Sequence, residues 1–305
     1  MLVPDVVCHL SVYPSLCGWP IHSESKQSIF ISMLIHSPLS PQLGLLVHDM
    51  DLSLGVDAKD HGLMRQLLHE HGLLLFKHQH INEMQQAAFA SIFGKFSRQG
   101  PIQQTTQDVT YVSNTRQDGT FGKGELKFHS DQYFFPHPMK AIMLFAIDVP
   151  LRGGHTLFAN THSAFQRMTQ PMRHALSKHE VLHTFDYDSV DYGEQQNQKV
   201  HKITVSQLHP AISRHPWSQK EILTTSQATG KALVGPLSTP EKEQLMAQAN
   251  AYIADPAHIY SHAWEVGDLI IWDNLLLQHA RPDFDPNEKR TLRRCALAHD
   301  METVH

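Results

Sequence analysis

His129 and Asp131 lie two residues apart, and their spacing sets the strictest condition on how this chain folds. If the surrounding residues form an extended strand, both side chains point to the same side of it. An imidazole and a carboxylate on one strand supply two ligands to a metal ion, and a third ligand from another segment still leaves coordination positions open. The chain contains 24 histidines, so one His-x-Asp triplet is expected from composition alone, and this is the only one. The triplet therefore predicts a metal site only if other segments supply the remaining groups.

A candidate for the third ligand is His279, which follows the apolar segment ending at Trp272. We expect residues 268–272 to form a strand, with His279 just beyond it. A lone histidine at such a place is usually structural. Together with His129 and Asp131, however, it completes two imidazoles and one carboxylate, the facial set of ligands that suits iron(II) with open positions. The sequence therefore predicts a non-haem iron centre.

Two arginines near the C-terminus are the next candidates. Residues 291–298 are expected to form a strand, on which side-chain alternation places Arg290 and Arg294 on one face and Arg293 on the other. Guanidinium groups on an inward face are costly unless each meets an anion. We therefore expect small molecules that carry carboxylates to bind there, whereas Arg293 is better suited to a basic outer face.

A tight turn at residues 152–154 ends in two glycines and delivers the hydroxyl of Thr156 to the start of a strand. On its own this segment is only a turn. Beside an arginine, a threonine hydroxyl can help to hold the far carboxylate of a cosubstrate. Thr156 is therefore a candidate binding residue.

The apolar pattern predicts both helices and strands along the chain. Helices are expected where apolar residues recur at helical spacing, at residues 58–71 (ended by Gly72), 82–94, 161–168 and 239–254. Strands are expected at residues 73–76, 109–113, 139–147, 155–158, 268–272 and 291–298. The Gly-rich residues 117–124 are expected to be a loop. Helices at the start, a strand-rich middle and closing strands predict an α+β protein built on an antiparallel barrel or sandwich.

The domain organisation follows from segments without a regular period. Residues 1–40 have none, and we expect a poorly ordered extension, or translated sequence upstream of the natural start. Residues 41–300 are expected to form a single domain. Within it, residues 183–200 are polar and irregular, which is typical of a lid or substrate loop. A solvated insertion is an equally good interpretation.

Charge and cysteine content exclude several classes of function. The net charge is −5 and no basic run occurs, which argues against a general affinity for nucleic acid or for an acidic membrane surface. Three cysteines without a C-x-x-C pair give no disulfide framework, so a reducing compartment, most simply the cytoplasm, is expected. No apolar run approaches the roughly 18 residues of a membrane-spanning helix. The expected partner is a small molecule, and a homo-oligomer is compatible with the sequence.

Several segments, taken in order, resemble the taurine and phenoxyacetate dioxygenase family. The resemblance extends over about residues 44–299 and includes His279, Arg290 and Arg294. It rests mainly on three strings, which are Phe128-His129-Ser130-Asp131, Leu151-Arg152-Gly153-Gly154-His155-Thr156-Leu157-Phe158-Ala159 and Gly267-Asp268-Leu269-Ile270-Ile271-Trp272-Asp273-Asn274. Several ordered motifs at the family's spacing are far more specific than any one of them alone.

This resemblance implies an enzyme that uses iron(II), 2-oxoglutarate and dioxygen. It implies that His129, Asp131 and His279 are the iron ligands. Arg290 would then bind the distal carboxylate of 2-oxoglutarate, with Thr156 hydrogen-bonded beside it. The implied fold is the double-stranded β-helix, or jelly roll, flanked by helices.

The resemblance also implies the class of substrate. Arg294 would bind an acidic group on a small anionic organic molecule, which is hydroxylated or otherwise oxidised with release of succinate and CO₂. The chain departs from the taurine-oxidising members at Gly100-Pro101 and at Glu125, so taurine itself is not the expected substrate. Glu125 either faces a cationic group of the substrate or is simply a loop carboxylate.

Two alternatives to this function stay open on the sequence alone. One is a natural-product tailoring oxidase or desaturase of the same family that acts on an amino-acid-derived acid. The other is a barrel that binds a small acid or zinc without turnover. The intact set of three metal ligands, Arg290 and Thr156 argues against the binding barrel, which has no need for all five.

Overall fold

The structure, a computed structural model, describes residues 7–8, 34–98, 107–187 and 204–299. Within these ranges, no helix combines the length and the apolar character that crossing a membrane requires. Three segments considered above lie wholly or partly outside the described residues, namely most of residues 1–40, Gly100-Pro101 and residues 188–200.

The described residues form five α-helices and eighteen strands. The helices are α1 (His61–His71), α2 (Glu83–Ser91), α3 (Thr161–Arg167), α4 (Gln170–Leu176) and α5 (Thr239–Ile253). The strands are β1 (Val7–Cys8), β2 (Ile35–Pro38), β3 (Leu45–Val47), β4 (Leu73–Phe76), β5 (Thr110–Ser113), β6 (Gly119–Phe121), β7 (Leu126–His129), β8 (Ala141–Asp148), β9 (Thr156–Asn160), β10 (Glu180–Asp186), β11 (Thr204–Pro210), β12 (Ile212–Arg214), β13 (Glu221–Leu223), β14 (Gly230–Val234), β15 (Ile259–His262), β16 (Leu269–Asp273), β17 (Leu277–Arg281) and β18 (Thr291–Leu297).

Two sheets carry most of these strands. Among the described residues, the larger sheet has nine strands in the order β1-β2-β3-β4-β16-β8-β18-β5-β6. Its neighbours are antiparallel except for the pairs β3–β4 and β5–β6. The smaller sheet has the order β15-β9-β17-β7 and is antiparallel throughout. The other strands form the short sheets β11-β10-β14 and β12-β13. The expected α+β composition with antiparallel strands is therefore confirmed.

The core has two layers because the central strands of the larger sheet are buried on both faces. Along β16, Leu269 and Ile271 pack with side chains of α1 and α2. Ile270 and Trp272 point the other way and join side chains of the smaller sheet. The rings of Trp272 and Phe158 lie 5.3 Å apart, so the two sheets are in direct contact. Burial on both faces explains why these strands are continuous apolar runs in the sequence.

Local signals place the first two helices as expected. The helix α1 ends at Gly72, which has a left-handed φ of 80° and donates its N–H to the carbonyl of Leu68. The strand β4 follows directly. At α2, the side chains of Asn82 and Gln85 each accept a hydrogen bond from the other residue's backbone N–H, which forms a capping box.

Strands lie in three segments that were expected to be an extension, a loop and a lid or insertion. Within residues 1–40, β1 pairs with β2, and β2 pairs with β3, so the expected boundary at residue 40 falls after two strands of the larger sheet. Within the expected loop 117–124, β6 pairs with β5, and a side chain at Gly119 would collide with the backbone oxygen of Ser113. Residues 183–186 belong to β10, which pairs with β11. These strands are short or partly exposed, so pairing rather than an apolar run stabilises them.

Candidate metal centre

Two strands of the smaller sheet bring the three expected metal ligands together. His129 is the last residue of β7 and pairs in register with His279 of β17. Their ring centroids are 4.3 Å apart. Asp131 follows just beyond β7, and its Oδ1 lies 3.3 Å from Nε2 of His129 and 3.8 Å from Nε2 of His279. One donor atom from each residue therefore lies within 4.8 Å of the others.

The protonation states of these groups suit metal binding. Nδ1 of His129 lies 2.7 Å from the carbonyl of Lys127, so it carries the proton and leaves a lone pair on Nε2. Burial, together with the nearby His129, lowers the pKa of His279 to about 3, so this ring is neutral. Burial raises the pKa of Asp131, but the neighbouring His129 and Arg294 outweigh that effect and the pKa lies well below its usual range. Two imidazoles and a carboxylate are a donor set that fits iron(II).

Arg294 lies directly beside this group. Its Nη2 is 2.7 Å from Oδ2 of Asp131 and 3.2 Å from the sulfur of Met139. The guanidinium therefore pairs with the carboxylate through the oxygen that does not face the two histidines. Arg294 also lines the same cavity as the three donors, as its position in the alternation of β18 requires.

Arg290 and Thr156 also line this cavity. Arg290 is 3% exposed, and its Nε donates to the carbonyl of Gly154 at 3.0 Å. Burial, with a smaller contribution from Arg281, lowers the pKa of Arg290 to about 9. Among the described residues, no carboxylate forms an ion pair with Arg290. A buried guanidinium without a counter-ion favours binding of an anion.

The hydroxyl of Thr156 is oriented by Trp264. The indole Nε1 donates to Oγ1 of Thr156 at 2.9 Å. The indole therefore uses a lone pair of the oxygen and leaves the hydroxyl proton to be donated elsewhere. Both side chains are buried.

The cavity has a volume of about 880 Å³ and is bounded on one side by aromatic rings. The rings of Phe134 and Phe185 stack at 4.8 Å, and Tyr187 packs edge-on against both. Phe121 contacts the same cluster. Glu125 is exposed and also borders the cavity, where it contributes a carboxylate.

Several residues at or near the site were not assigned a role from the sequence. Arg281 donates to the carbonyl of the last residue of β6 and to those of two residues in the loop before β7. Asn274 binds the backbone of Asp131. Arg293, expected on an outer face, is buried and donates to the side chain of Gln86. The alternation of β18 was predicted correctly, but its other face is covered by α2. Of these residues, only Asn274 had a signal in the sequence, because it belongs to the string Trp272-Asp273-Asn274 that resembles the family.

A second group of two histidines and an aspartate is a hydrogen-bonded network instead of a metal site. The backbone N–H of Ser218 donates to Nδ1 of His215 at 3.1 Å, so the proton of the neutral ring is on Nε2. That Nε2–H donates to Oδ2 of Asp273 at 2.9 Å, and Nδ1 of His69 lies 2.8 Å from the same oxygen. Nε2 of His215 therefore has no free lone pair to offer a metal.

Comparisons with known proteins agree with this geometry. A family model described as "Taurine catabolism dioxygenase TauD, TfdA family" matches residues 36–296. The chain is 28% identical to an alpha-ketoglutarate-dependent sulfate ester dioxygenase from Pseudomonas putida, over 87% of this chain and 89% of the relative. It is 27% identical to an (S)-phenoxypropionate/alpha-ketoglutarate-dioxygenase from Sphingobium herbicidovorans, over 87% and 94% respectively. The structure of a taurine dioxygenase from Burkholderia xenovorans has the same fold, with a TM-score of 0.73, 23% identity, and coverage of 88% of this chain and 91% of that chain.

Proposed function

This chain belongs to the taurine catabolism dioxygenase TauD, TfdA family, and we propose that it oxidises a small organic anion with an apolar body. It is an oxidoreductase that depends on iron(II), 2-oxoglutarate (alpha-ketoglutarate) and dioxygen. The observation that carries the proposal is a single cavity that contains a two-histidine, one-carboxylate donor set, the buried Arg290, the half-buried Arg294 and an aromatic wall. Metal, anion and apolar group can therefore be bound side by side.

We assign the iron to Nε2 of His129, Nε2 of His279 and the carboxylate of Asp131. When bound, the iron supplies the activation of dioxygen, which is coupled to decarboxylation of 2-oxoglutarate to succinate and CO₂. The protein's contribution is to hold the two reactants in place and to aim one C–H bond of the substrate at the metal. The hydrogen bond from His129 to the carbonyl of Lys127 keeps Nε2 available for the metal.

Arg290 and Thr156 are assigned to the distal carboxylate of 2-oxoglutarate. A carboxylate can accept two parallel hydrogen bonds from the guanidinium of Arg290, whose burial is costly without such a partner. The hydroxyl of Thr156, directed by Trp264, supplies a further donor. The same carboxylate restores the charge balance around a buried cation.

Arg294 is assigned to the acidic group of the primary substrate. Coordination of Asp131 to iron would shift that carboxylate's charge towards the metal, and Arg294 would then be able to pair with an incoming anion. The rings of Phe121, Phe134 and Phe185 would contact the apolar body. The sulfate ester and phenoxypropionate named for the two relatives combine an acidic group with an organic body and support this class. Both interpretations of Glu125 are retained: it contacts a cationic group of the substrate, or it is simply a loop carboxylate.

We infer further that the two packed sheets are the halves of a double-stranded β-helix in a single domain of residues 41–300, with β1 and β2 extending the larger sheet before it. The antiparallel pairing of the smaller sheet and its contact with the larger sheet support this inference. Phe185 and Tyr187 border the cavity at the start of residues 183–200, which supports a lid or substrate loop in that region.

The cofactor assignment is tested by adding iron(II) and then 2-oxoglutarate under anaerobic conditions. We expect a metal-to-ligand charge-transfer band in the visible spectrum. Folded protein without that band would contradict the proposed function.

The role of Arg290 is tested by Arg290→Ala. We expect the KM for 2-oxoglutarate to rise by about 100-fold, because a charge-assisted pair worth roughly 2–3 kcal/mol is removed. Arg152→Ala is the matched control, since Arg152 is exposed on the turn before Thr156. An unchanged KM for Arg290→Ala would refute the assignment.

The substrate class is tested with a panel of small organic acids, scored by release of succinate. Sulfate esters, aryloxy acids and amino-acid-derived acids form the three arms, each with a neutral analogue. We expect turnover of acids that carry an apolar body and little turnover of the neutral analogues. Preference for an amino-acid-derived acid would favour the tailoring oxidase.

A further inference from the structure

We propose that Asn274 is a positioning residue that holds the carboxylate ligand Asp131 in place through the backbone on both sides of it. The inference rests on the proposed function only in that Asp131 binds a metal. Asn274 is fully buried at the end of β16 and does not line the cavity. Its effect on the metal is therefore indirect.

The side-chain amide of Asn274 makes three hydrogen bonds to the main chain. Its Oδ1 accepts from the N–H of Asp131 at 2.8 Å. Its Nδ2 donates to the carbonyl of Asp131 at 3.0 Å and to the carbonyl of Met139 at 2.8 Å. The amide thus contacts the main-chain groups on either side of the Asp131 side chain.

The backbone at Asp131 needs such a partner because the strand ladder has ended. The last residue of β7 is His129, and Gln132 has a left-handed φ of 66°, so the chain turns away immediately after the ligand. Buried main-chain groups that leave a ladder must find other partners. A primary amide is the side chain that offers an acceptor and a donor in the arrangement of a peptide group.

Asn274 itself is held on a rigid support. Its backbone N–H donates to the carbonyl of Lys140 at 2.9 Å. The preceding Asp273 accepts from the N–H groups of Leu275 and Leu276, and its other oxygen bonds to two histidines, as described above. These bonds fix the turn that leads from β16 into β17, the strand of His279. Asn274 therefore couples the position of Asp131 to the segment that carries another ligand.

The test compares Asn274→Asp and Asn274→Ser with the wild-type chain, using Co(II) as the probe. Asn274→Asp keeps the shape and the acceptor but loses the donor, and Asn274→Ser loses the paired contact altogether. Loss of an interaction that orients a metal ligand lowers metal affinity by roughly 10- to 100-fold. We expect at least a tenfold weaker Co(II) affinity and an altered visible d–d spectrum in each variant.

Asn160→Ala is the matched control. Asn160 also makes three amide bonds to the main chain, with the N–H groups of His162 and Ser163 and the carbonyl of Gln42, but none involves a proposed metal ligand. We expect it to lower the unfolding midpoint while leaving the Co(II) affinity and spectrum at wild-type values.

The outcomes separate positioning from a general structural role. Folded Asn274 variants with wild-type Co(II) affinity and spectrum would overturn the proposal. Asn274 variants whose unfolding midpoint lies far below that of Asn160→Ala would also overturn it, because they would show a general structural role. A third outcome separates this proposal from the proposed function. If the wild-type protein binds Co(II) and the Asn274 variants bind it more weakly, but the wild type gives no charge-transfer band with iron(II) and 2-oxoglutarate, the positioning role stands and the proposed function fails.

Discussion

At Thr156, one hydrogen bond decides where the hydroxyl proton points. Trp264 donates to the oxygen, and Arg290, which is bonded to the carbonyl of Gly154 two residues earlier, has no acceptor to offer. The proton is therefore available to an anion in the cavity, which supports the proposed contact with 2-oxoglutarate. That proposed role depends on the hydroxyl and not on the methyl group.

Thr156→Val is expected to raise the KM for 2-oxoglutarate about tenfold, because one hydrogen bond to a charged group is lost. Thr156→Ser keeps the hydroxyl and is expected to stay near the wild-type KM. Steady-state kinetics with 2-oxoglutarate as the varied substrate measures both. Equal KM values for the valine variant and the wild type would remove Thr156 from the binding site.

Individual residues differ in how far the sequence predicts them. His129, Asp131 and His279 were identified as a donor set because metal ligation requires particular side chains at a particular spacing. Asn274 and Arg293 could not be assigned in this way, because their roles depend on partners from distant segments. Arg293 illustrates the reason, since its Nη2 donates to the carbonyl of Ile81 at 2.7 Å and its Nε donates to the side chain of Gln86 in α2.

On the scale of an element, Arg281 anchors the segment between β6 and β7. Its guanidinium donates to the carbonyls of Phe121, Lys123 and Gly124, two of them at 2.9 and 2.7 Å. Arg281 is 3% exposed and belongs to β17, two residues after His279. The segment that carries Phe121 and Glu125 to the cavity is therefore attached to a strand of the metal centre.

Arg281→Met is expected to loosen this segment, because three carbonyls lose their donor while the apolar volume is largely kept. Hydrogen exchange in residues 119–125 should become at least several-fold faster. Arg167→Met is the control, since Arg167 donates to the carbonyl of Tyr252 and the hydroxyl of Ser163 elsewhere in the fold. Unchanged exchange in residues 119–125 would show that other contacts hold the segment.

Helices and strands were predictable where the local pattern alone fixes them. The apolar run of β4 and the glycine that ends α1 are such signals. β10 was missed at residues 183–186 because only alternate residues in its first half are buried. Its partner β11 follows a polar stretch of sequence, so the pairing is not visible from the local pattern. β6 was missed because glycine content indicates a loop even where glycine permits close pairing.

For the whole molecule, the metal centre depends on which strands become neighbours. β7 and β17 are far apart in sequence yet adjacent in the smaller sheet, and their pairing sets His129 opposite His279. Spacing within one strand predicts that two side chains share a face, but it does not predict the partner strand. The order of the sheets could be anticipated only through the family resemblance, which extends over nearly the whole domain.

Stability of the whole molecule should fall in acid partly because His183 is buried in neutral form. It lies at the centre of the sheet β11-β10-β14, with Nδ1 2.9 Å from the hydroxyl of Thr229. Burial, together with the neighbouring His209, lowers the pKa of His183 from 6.5 to about 3. Between these two values, the unfolded chain binds a proton at this residue that the folded chain does not, so the free energy of unfolding decreases as the pH falls.

His183→Asn cannot titrate, so it is expected to lose less stability on acidification than the wild type. Between neutral pH and about pH 5, the difference in the loss should be on the order of 2 kcal/mol. Denaturant unfolding at a series of pH values measures this difference. Comparing the slopes of the free energy of unfolding against pH removes any loss of stability that the substitution causes at every pH. His174→Asn, at an exposed histidine of α4, is the control and should follow the wild-type slope. Parallel slopes for His183→Asn and the wild type would mean that His183 takes up its proton in the folded chain as readily as in the unfolded one.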